Sequence, residues 1–208
     1  MKAQRIHGII GIVGLTSVWV SILTAIIVSQ CFNIIDMALS DLGDWETACD
    51  NNFLCSQHCN RISEPIFNYG LMISGLMIAF ASLGLYRYSE SKASPILLAL
   101  SSISLSLIGL LPERYGVLHF MVALLFFLLL PIAMLLHAKW TWHEHRIESL
   151  ITIALSVVSF SGILLFISIK VLDLDLGYAI PEIIGALPAS VWLGVLFYKY
   201  LIENNKTN

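Results

Sequence analysis

The chain has 208 residues, 58% of them hydrophobic and 12% charged, with a mean hydropathy of +0.84. A water-soluble domain carries about a quarter charged residues, so this composition cannot cover a water-facing surface and excludes an ordinary soluble globular protein. The net charge of −3, with no basic run and no interleaving of aromatic and basic residues, also excludes a nucleic-acid partner.

The partner the composition calls for is the lipid bilayer, crossed by apolar helices of about 20 residues each. The first stretch, MKAQRIHGIIGIVGLTSVWVSILTAIIVSQ, has a basic start and a long apolar run, as a signal peptide does. Its apolar part is too long for such a peptide and no small-x-small cleavage site follows Gln30, so it reads as a retained first helix, Gly8–Gln30. Five more apolar runs follow: Ile66–Tyr86, Pro95–Leu111, Gly116–Leu136, Leu150–Ile169 and Pro181–Leu201. The third is short, so it either tilts little or extends to Pro112. Ser94-Pro95 reads as its start, with serine as N-cap and proline at the first helical position. Pro131 and Pro188 should kink the fourth and sixth helices, which is tolerable where neighbours satisfy the freed carbonyls. The expected fold is all-α: one polytopic bundle of six transmembrane helices over residues 1–208.

Orientation follows from Lys and Arg. With the N-terminus inside, Lys2, Arg5, Arg87, Lys92, Lys139, Arg146, Lys199 and Lys206 are cytoplasmic, against Arg61, Arg114 and the borderline Lys170 outside. Both termini are therefore expected in the cytoplasm, with the chain a multi-pass protein of the cell (plasma) membrane. Ten of the fourteen carboxylates fall on the opposite, outer side. Acidic residues have little weight in setting topology, so either that face is an acidic rim or it holds a site that uses carboxylates.

The long outer loop, about residues 31–65, carries all four cysteines: Cys31, Cys49, Cys55 and Cys59. Outside a membrane disulfides are permitted, and a loop of this length is usually functional or stapled. One or two disulfides are expected, with three connectivities open. A zinc site using His58 is the weaker alternative, because C-x5-C-x3-C matches no common zinc motif.

The second, fourth and sixth helices all start outside, each with proline beside glutamate: Glu64-Pro65, Pro112-Glu113 and Pro181-Glu182. Proline suits a first helical turn and a carboxylate there answers the helix dipole, which explains each pair singly. The sharper reading is that these carboxylates converge at one bundle mouth near Asp41. His119 lies within the apolar run of the fourth helix, where an ionisable residue is either functional or a neutral imidazole bonded to a carbonyl. Asn68 lies one turn past Glu64 on the same face, and the two polar groups imply a shared pocket on that side. Within Asp36–Trp45, Asp36, Asp44 and Glu46 read as solvent-facing rim charges. Asp41, between Leu39 and Leu42, reads as drawn into the bundle and paired with His119, Asn68 or Arg114, since an unpaired buried carboxylate is costly.

His137, Trp140, Trp142, His143 and His145 crowd the inner connection after the fourth helix. An aromatic belt explains them better than a metal chelate, and no resident metal is expected. Haem is not expected either, because no second helix supplies a histidine at matching depth; no other cofactor can be named. A conduit would concentrate polarity at the midplane, whereas here it gathers near the outer surface.

Ser40-Asp41-Leu42-Gly43 after the first helix, Phe67-Asn68-Tyr69-Gly70 in the second, Leu111-Pro112-Glu113 before the fourth, and His119 within it resemble the six-helix prokaryotic membrane family catalogued as domain of unknown function 998. The resemblance runs from the first helix to the sixth, and the cysteine-bearing stretch between Gly43 and Pro65 is longer than that family's usual loop. The Ser-Asp-x-Gly and Pro-Glu elements are more distantly similar to eukaryotic membrane proteins that include autophagy modulators and a GPI-anchor lipid-remodelling factor. The family implies the fold and no established activity.

Two function classes remain. One is an outer-leaflet enzyme acting on lipid or lipid-linked substrates, with Asp41 and Glu113 as acid/base or metal-holding carboxylates, His119 as a proton-transfer group and Ser40 as a candidate nucleophile. Asn68, Arg114 and Glu182 would line its substrate pocket. The other is a non-catalytic membrane protein, a small transporter or a subunit of a membrane partner chain, in which the same residues pin the outer loop to the bundle.

Overall fold

A computed structural model describes residues 2–44, 46, 61–89, 91–174 and 176–202. The described residues form six long helices and no strand: α1 (Lys2–Ser29), α2 (Ser63–Leu85), α3 (Ala93–Leu110), α4 (Val117–Thr141), α5 (Arg146–Val171) and α6 (Ala179–Ile202). All six are long and apolar enough to cross a membrane. Large apolar side chains cover the outside of the bundle, with Ile27 75%, Val117 73% and Leu164 65% exposed, a surface suited to lipid and not to water. The chain is a multi-pass membrane protein.

Each helix packs on its neighbours in sequence, and α6 packs back on α1 to close a ring. Helices α4 and α6 touch only lightly, and α5 packs on both, so α5 lies over the α4–α6 seam. The ring encloses an apolar axial cavity of about 90 Å³ whose walls come from α1, α2, α3, α4 and α6 but not from α5. Hydroxyls hold the helices in register across the apolar interior. Ser106 donates to the Met72 carbonyl at 2.9 Å, Ser101 to Phe126 at 3.0 Å, Ser94 to Ala133 at 2.9 Å and Ser156 to Pro131 at 2.9 Å. Such bonds satisfy the hydroxyl where no water can, and they place α3 against α2 and α4, and α5 against α4.

The start of α3 differs from expectation. The helix begins at Ala93, so Ser94 lies within its first turn and its hydroxyl bonds across to α4; the Ser94 N–H instead meets the Ser91 hydroxyl at 3.4 Å. A carbonyl on a neighbouring helix has no water to turn to, whereas a helix end at the boundary does, so the hydroxyl goes where it is needed more. Helices α4 and α6 run on through Pro131 and Pro188.

One end of the bundle is closed by chain rather than open. After α1, residues 35–37 run beside the segment leading into α6: Gly177 N–H donates to the Ile35 carbonyl at 2.7 Å and Ala179 N–H to Met37 at 2.9 Å. Gly177 makes that approach possible, since a Cβ there would collide with the Asp36 and Met37 backbone. The chain then forms a 3₁₀ turn, Leu39–Gly43, with Leu39, Ser40, Leu42 and Gly43 buried in the bundle mouth. A second 3₁₀ turn, Glu113–Tyr115, joins α3 to α4 at the same end.

Candidate functional site

The mouth is built where the two 3₁₀ turns meet the first turns of α2, α4 and α6. In the Leu39–Gly43 turn, Asp41 reaches back so that its Oδ2 accepts the Ala38 N–H at 2.8 Å. Its carboxyl also bonds the Glu113 side chain. Burial is the main reason that the Asp41 carboxyl titrates high, at about 8; the hydrogen bond and charge of Glu113 add to the shift, as does Asp44, while the Ala38 N–H works against it. At neutral pH Asp41 therefore keeps its proton and donates it toward Glu113. Glu113 Oε2 also accepts from the Ser40 hydroxyl at 3.2 Å.

Glu182 stands in the first turn of α6, and its Oε2 accepts the Leu39 N–H at 2.6 Å. His119 Nδ1 lies 2.6 Å from the Leu111 carbonyl. A carbonyl only accepts, so Nδ1 carries the proton and the Nε2 lone pair is left facing away from that bond. Asn68 donates from Nδ2 to the Gly43 carbonyl at 2.9 Å. Gly43 admits this contact, because a Cβ there would sit 2.8 Å from the Phe67 ring. Ser40, Glu113, His119 and Glu182 all line one mouth cavity of about 350 Å³, together with Lys170 from the last turn of α5 and Tyr178 just before α6. Ser40, His119 and Glu182 also line the axial cavity, so they stand where the polar mouth passes into the apolar interior.

The family model described as "Protein of unknown function (DUF998)" matches residues 12–199, from within α1 to within α6. The chain belongs to that family. No curated protein and no solved structure matches it.

Among the residues singled out from sequence, this DUF998 protein brings Ser40, Glu113, His119 and Glu182 to one cavity, with Asp41 bonded to Glu113 behind it. Asn68 and Arg114 contribute to the loop's attachment and do not line that cavity. Three expectations need correction. None of His119, Asn68 or Arg114 is the partner of Asp41; Glu113 and the Ala38 N–H are. Glu182 stands at the junction of the cavities rather than at a rim.

The largest correction is Asp44. It is fully buried, whereas Asp36 and Glu46 are exposed as expected. Its Oδ2 accepts the Arg114 N–H at 2.6 Å, and its Oδ1, which has no hydrogen bond among the described residues, faces the Arg114 guanidinium at 3.5 Å. Arg114 in turn donates to Glu64 at 2.6 Å. The reason lies in the turn: Asp44 caps the Leu39–Gly43 turn and is carried toward the second 3₁₀ turn, where an N–H lacks a partner.

Lys170 and Tyr178 were not singled out as site residues. A lysine closing the last turn of an apolar helix is a faint signal for the first; nothing in the sequence marks the second. Cys31 is the one cysteine among the described residues, and it is not a free thiol. Cys49, Cys55 and Cys59, His58, and with them the expected pairing, lie outside the described residues. At the opposite end the His137 ring meets Trp192 edge-on, with centroids 5.5 Å apart. Among the described residues no group of three or more His, Cys, Asp or Glu side chains is placed to hold a metal ion.

Proposed function

We propose that this DUF998 protein is a membrane enzyme that hydrolyses an ester bond of a lipid or lipid-linked substrate at the outer face of the cell membrane. The six helices form one domain, both termini are cytoplasmic, and a disulfide staples the 31–65 loop. The Lys and Arg distribution supports that orientation.

The observation that carries the reading is the shared wall: Ser40, His119 and Glu182 line both an apolar cavity and a polar mouth. An ester linking an apolar tail to a polar head has that same division. His119 is oriented by the Leu111 carbonyl, as a catalytic histidine is oriented by a third group, and Nε2 is left as the base. His119 takes a proton from water as the water oxygen adds to the ester carbon. The carbon–oxygen bond to the leaving group then breaks, and the proton held between Asp41 and Glu113 passes through Glu113 to the departing alkoxide. The imidazolium proton afterwards returns to the carboxyl pair, so one water is consumed and an acid and an alcohol leave. Ser40, donating to Glu113, positions that carboxyl.

The test is turnover by the full chain in lipid nanodiscs, with ester cleavage followed by mass spectrometry over a panel of lipids. His119→Ala and Glu113→Gln should each slow cleavage by roughly 10²–10⁴-fold, the usual worth of acid–base catalysis. A lipid pool that wild type leaves as unchanged as His119→Ala does would overturn the reading.

A second reading is favoured by one specific observation: Asp44, Asn68 and Glu182 all spend their hydrogen bonds on backbone groups, which fixes the loop in the mouth. On that reading the protein is a non-catalytic transporter or partner subunit, and the same assay returns no turnover.

A further inference from the structure

Helix α4 carries a cavity on each side at the mouth end. On one side is the axial cavity; on the other is an apolar crevice of about 140 Å³ under α5, walled by Phe120 and Leu124 of α4 and Ile163 and Phe166 of α5. No residue from Val122 to Leu129 is fully buried, as a helix between two unfilled spaces requires. Ala123, Phe127 and Glu182 line both spaces, so the partition between them is a methyl group, a ring and a carboxylate. Ile167, on the crevice wall, is 46% exposed, so the crevice reaches the outer surface of the bundle. At its other end Phe120, Phe166 and Glu182 are shared with the mouth cavity. Lys170 stands there, its ammonium 4.6 Å from the centre of the Phe120 ring. It is the one Lys or Arg among the described residues lining that cavity, and no carboxylate among the described residues lies within ion-pair distance of it.

We infer that the α4–α5 crevice is the lateral port through which one acyl chain of an anionic glycerophospholipid enters from the bilayer, with its phosphate at Lys170 and its glycerol ester at the mouth carboxyls. The inference deepens the hydrolase reading by naming the substrate class, and it depends on that reading for the cleavage step alone, not for binding. A membrane-facing slot lined by phenylalanine and isoleucine takes hydrocarbon; a lone cation at its polar end takes a phosphate. The position of Glu182 between the slot, the mouth and the axial cavity brings the linkage between chain and head to Ser40 and His119.

The experiment uses the full chain in phosphatidylcholine nanodiscs doped with phosphatidylglycerol that carries a photoactivatable diazirine on one acyl chain. After irradiation, labelled peptides should map to residues 120–127 of α4 and 162–167 of α5. Lys170→Gln should lower labelling by about 1.5-fold to fivefold, the range for one exposed ion pair, and Lys170→Arg should restore it. Ile163→Trp should fill the crevice and abolish labelling there; Leu124→Trp serves the same purpose should the first variant fail to fold, as judged by elution and melting. Labelling spread evenly over all six helices would overturn the inference. So would labelling that persists in a folded tryptophan variant, or an equal yield from a phosphatidylcholine probe. Labelling needs no turnover, so it should appear whether or not any ester is cleaved. A labelled crevice without ester cleavage in any assay removes the hydrolase alone, whereas cleavage with labels elsewhere removes the port alone.

Discussion

Asp44→Ala should destabilise the protein far more than Asp41→Asn. Removing the Asp44 carboxylate strands the Arg114 N–H, which now bonds Oδ2 at 2.6 Å in a site closed to water. An unsatisfied buried donor costs about 1–3 kcal/mol, and a bond to a charged acceptor is worth more than a neutral one. The guanidinium loses its 3.5 Å partner as well, but it is 41% exposed and keeps Glu64, so that part is worth less than about 1 kcal/mol. Together the loss is about 2–4 kcal/mol. Asp44→Asn keeps an acceptor for the N–H and should lose about half as much. Asp41→Asn is different in kind. The Asp41 carboxyl is protonated at neutral pH, and an amide copies it: the carbonyl accepts from Ala38 and the NH₂ donates to Glu113. Its cost should stay under about 1 kcal/mol. The assay is thermal unfolding in detergent at pH 7, read as the folded fraction on size exclusion after heating. A melting temperature that falls as far for Asp41→Asn as for Asp44→Ala would refute the reasoning.

Because the folded Asp41 carboxyl titrates at about 8 against an ordinary 3.8, the folded state holds a proton that the unfolded chain has released. Stability from this group is fully present below about pH 4 and is lost as pH rises through about 8; Asp41→Asn should flatten that decline in melting curves taken from about pH 5 to 9. Glu182→Leu strands the Leu39 N–H and should cost about 1–3 kcal/mol by the same unfolding assay, while Glu182→Gln, which keeps an acceptor, should cost less. Reporter fusions after Lys92 and after Asp50 should report opposite sides of the membrane, and the same side for both would end the orientation argument. Thiol counting by mass spectrometry on unreduced protein should find at most two free cysteines of the four, and four would remove the staple.

The helices are legible in the sequence because a bilayer imposes length and apolarity on every span, and those constraints are written residue by residue. Span ends read from hydropathy fall a few residues short, as at Ala93 and Thr141, because a helix continues into the interface after its hydropathy has faded. Which helices form the ring is not legible. That α5 lies outside the α4–α6 seam depends on packing between helices that are equally apolar on most faces. Without that placement there is no signal for a crevice, nor for Lys170 as a wall of the mouth.

Carboxylate positions divide in an instructive way. Glu113 and Glu182 stand out because each interrupts an apolar chain beside proline at a helix start, a local pattern. Asp41 and Asp44 cannot be ranked by the residues that flank them. Apolar neighbours Leu39 and Leu42 point to an inward Asp41, yet in a 3₁₀ turn the side chains step by about a third of a revolution per residue. Leu39 and Leu42 therefore share one face, with Asp41 a third of a turn away, half-buried over Glu113. Asp44 comes where the turn ends and the chain extends, with φ at −141°. Its burial is decided by an N–H seventy residues away, at Arg114. A buried charge is settled by the donor waiting for it, and the sequence around the charge does not show where that donor is.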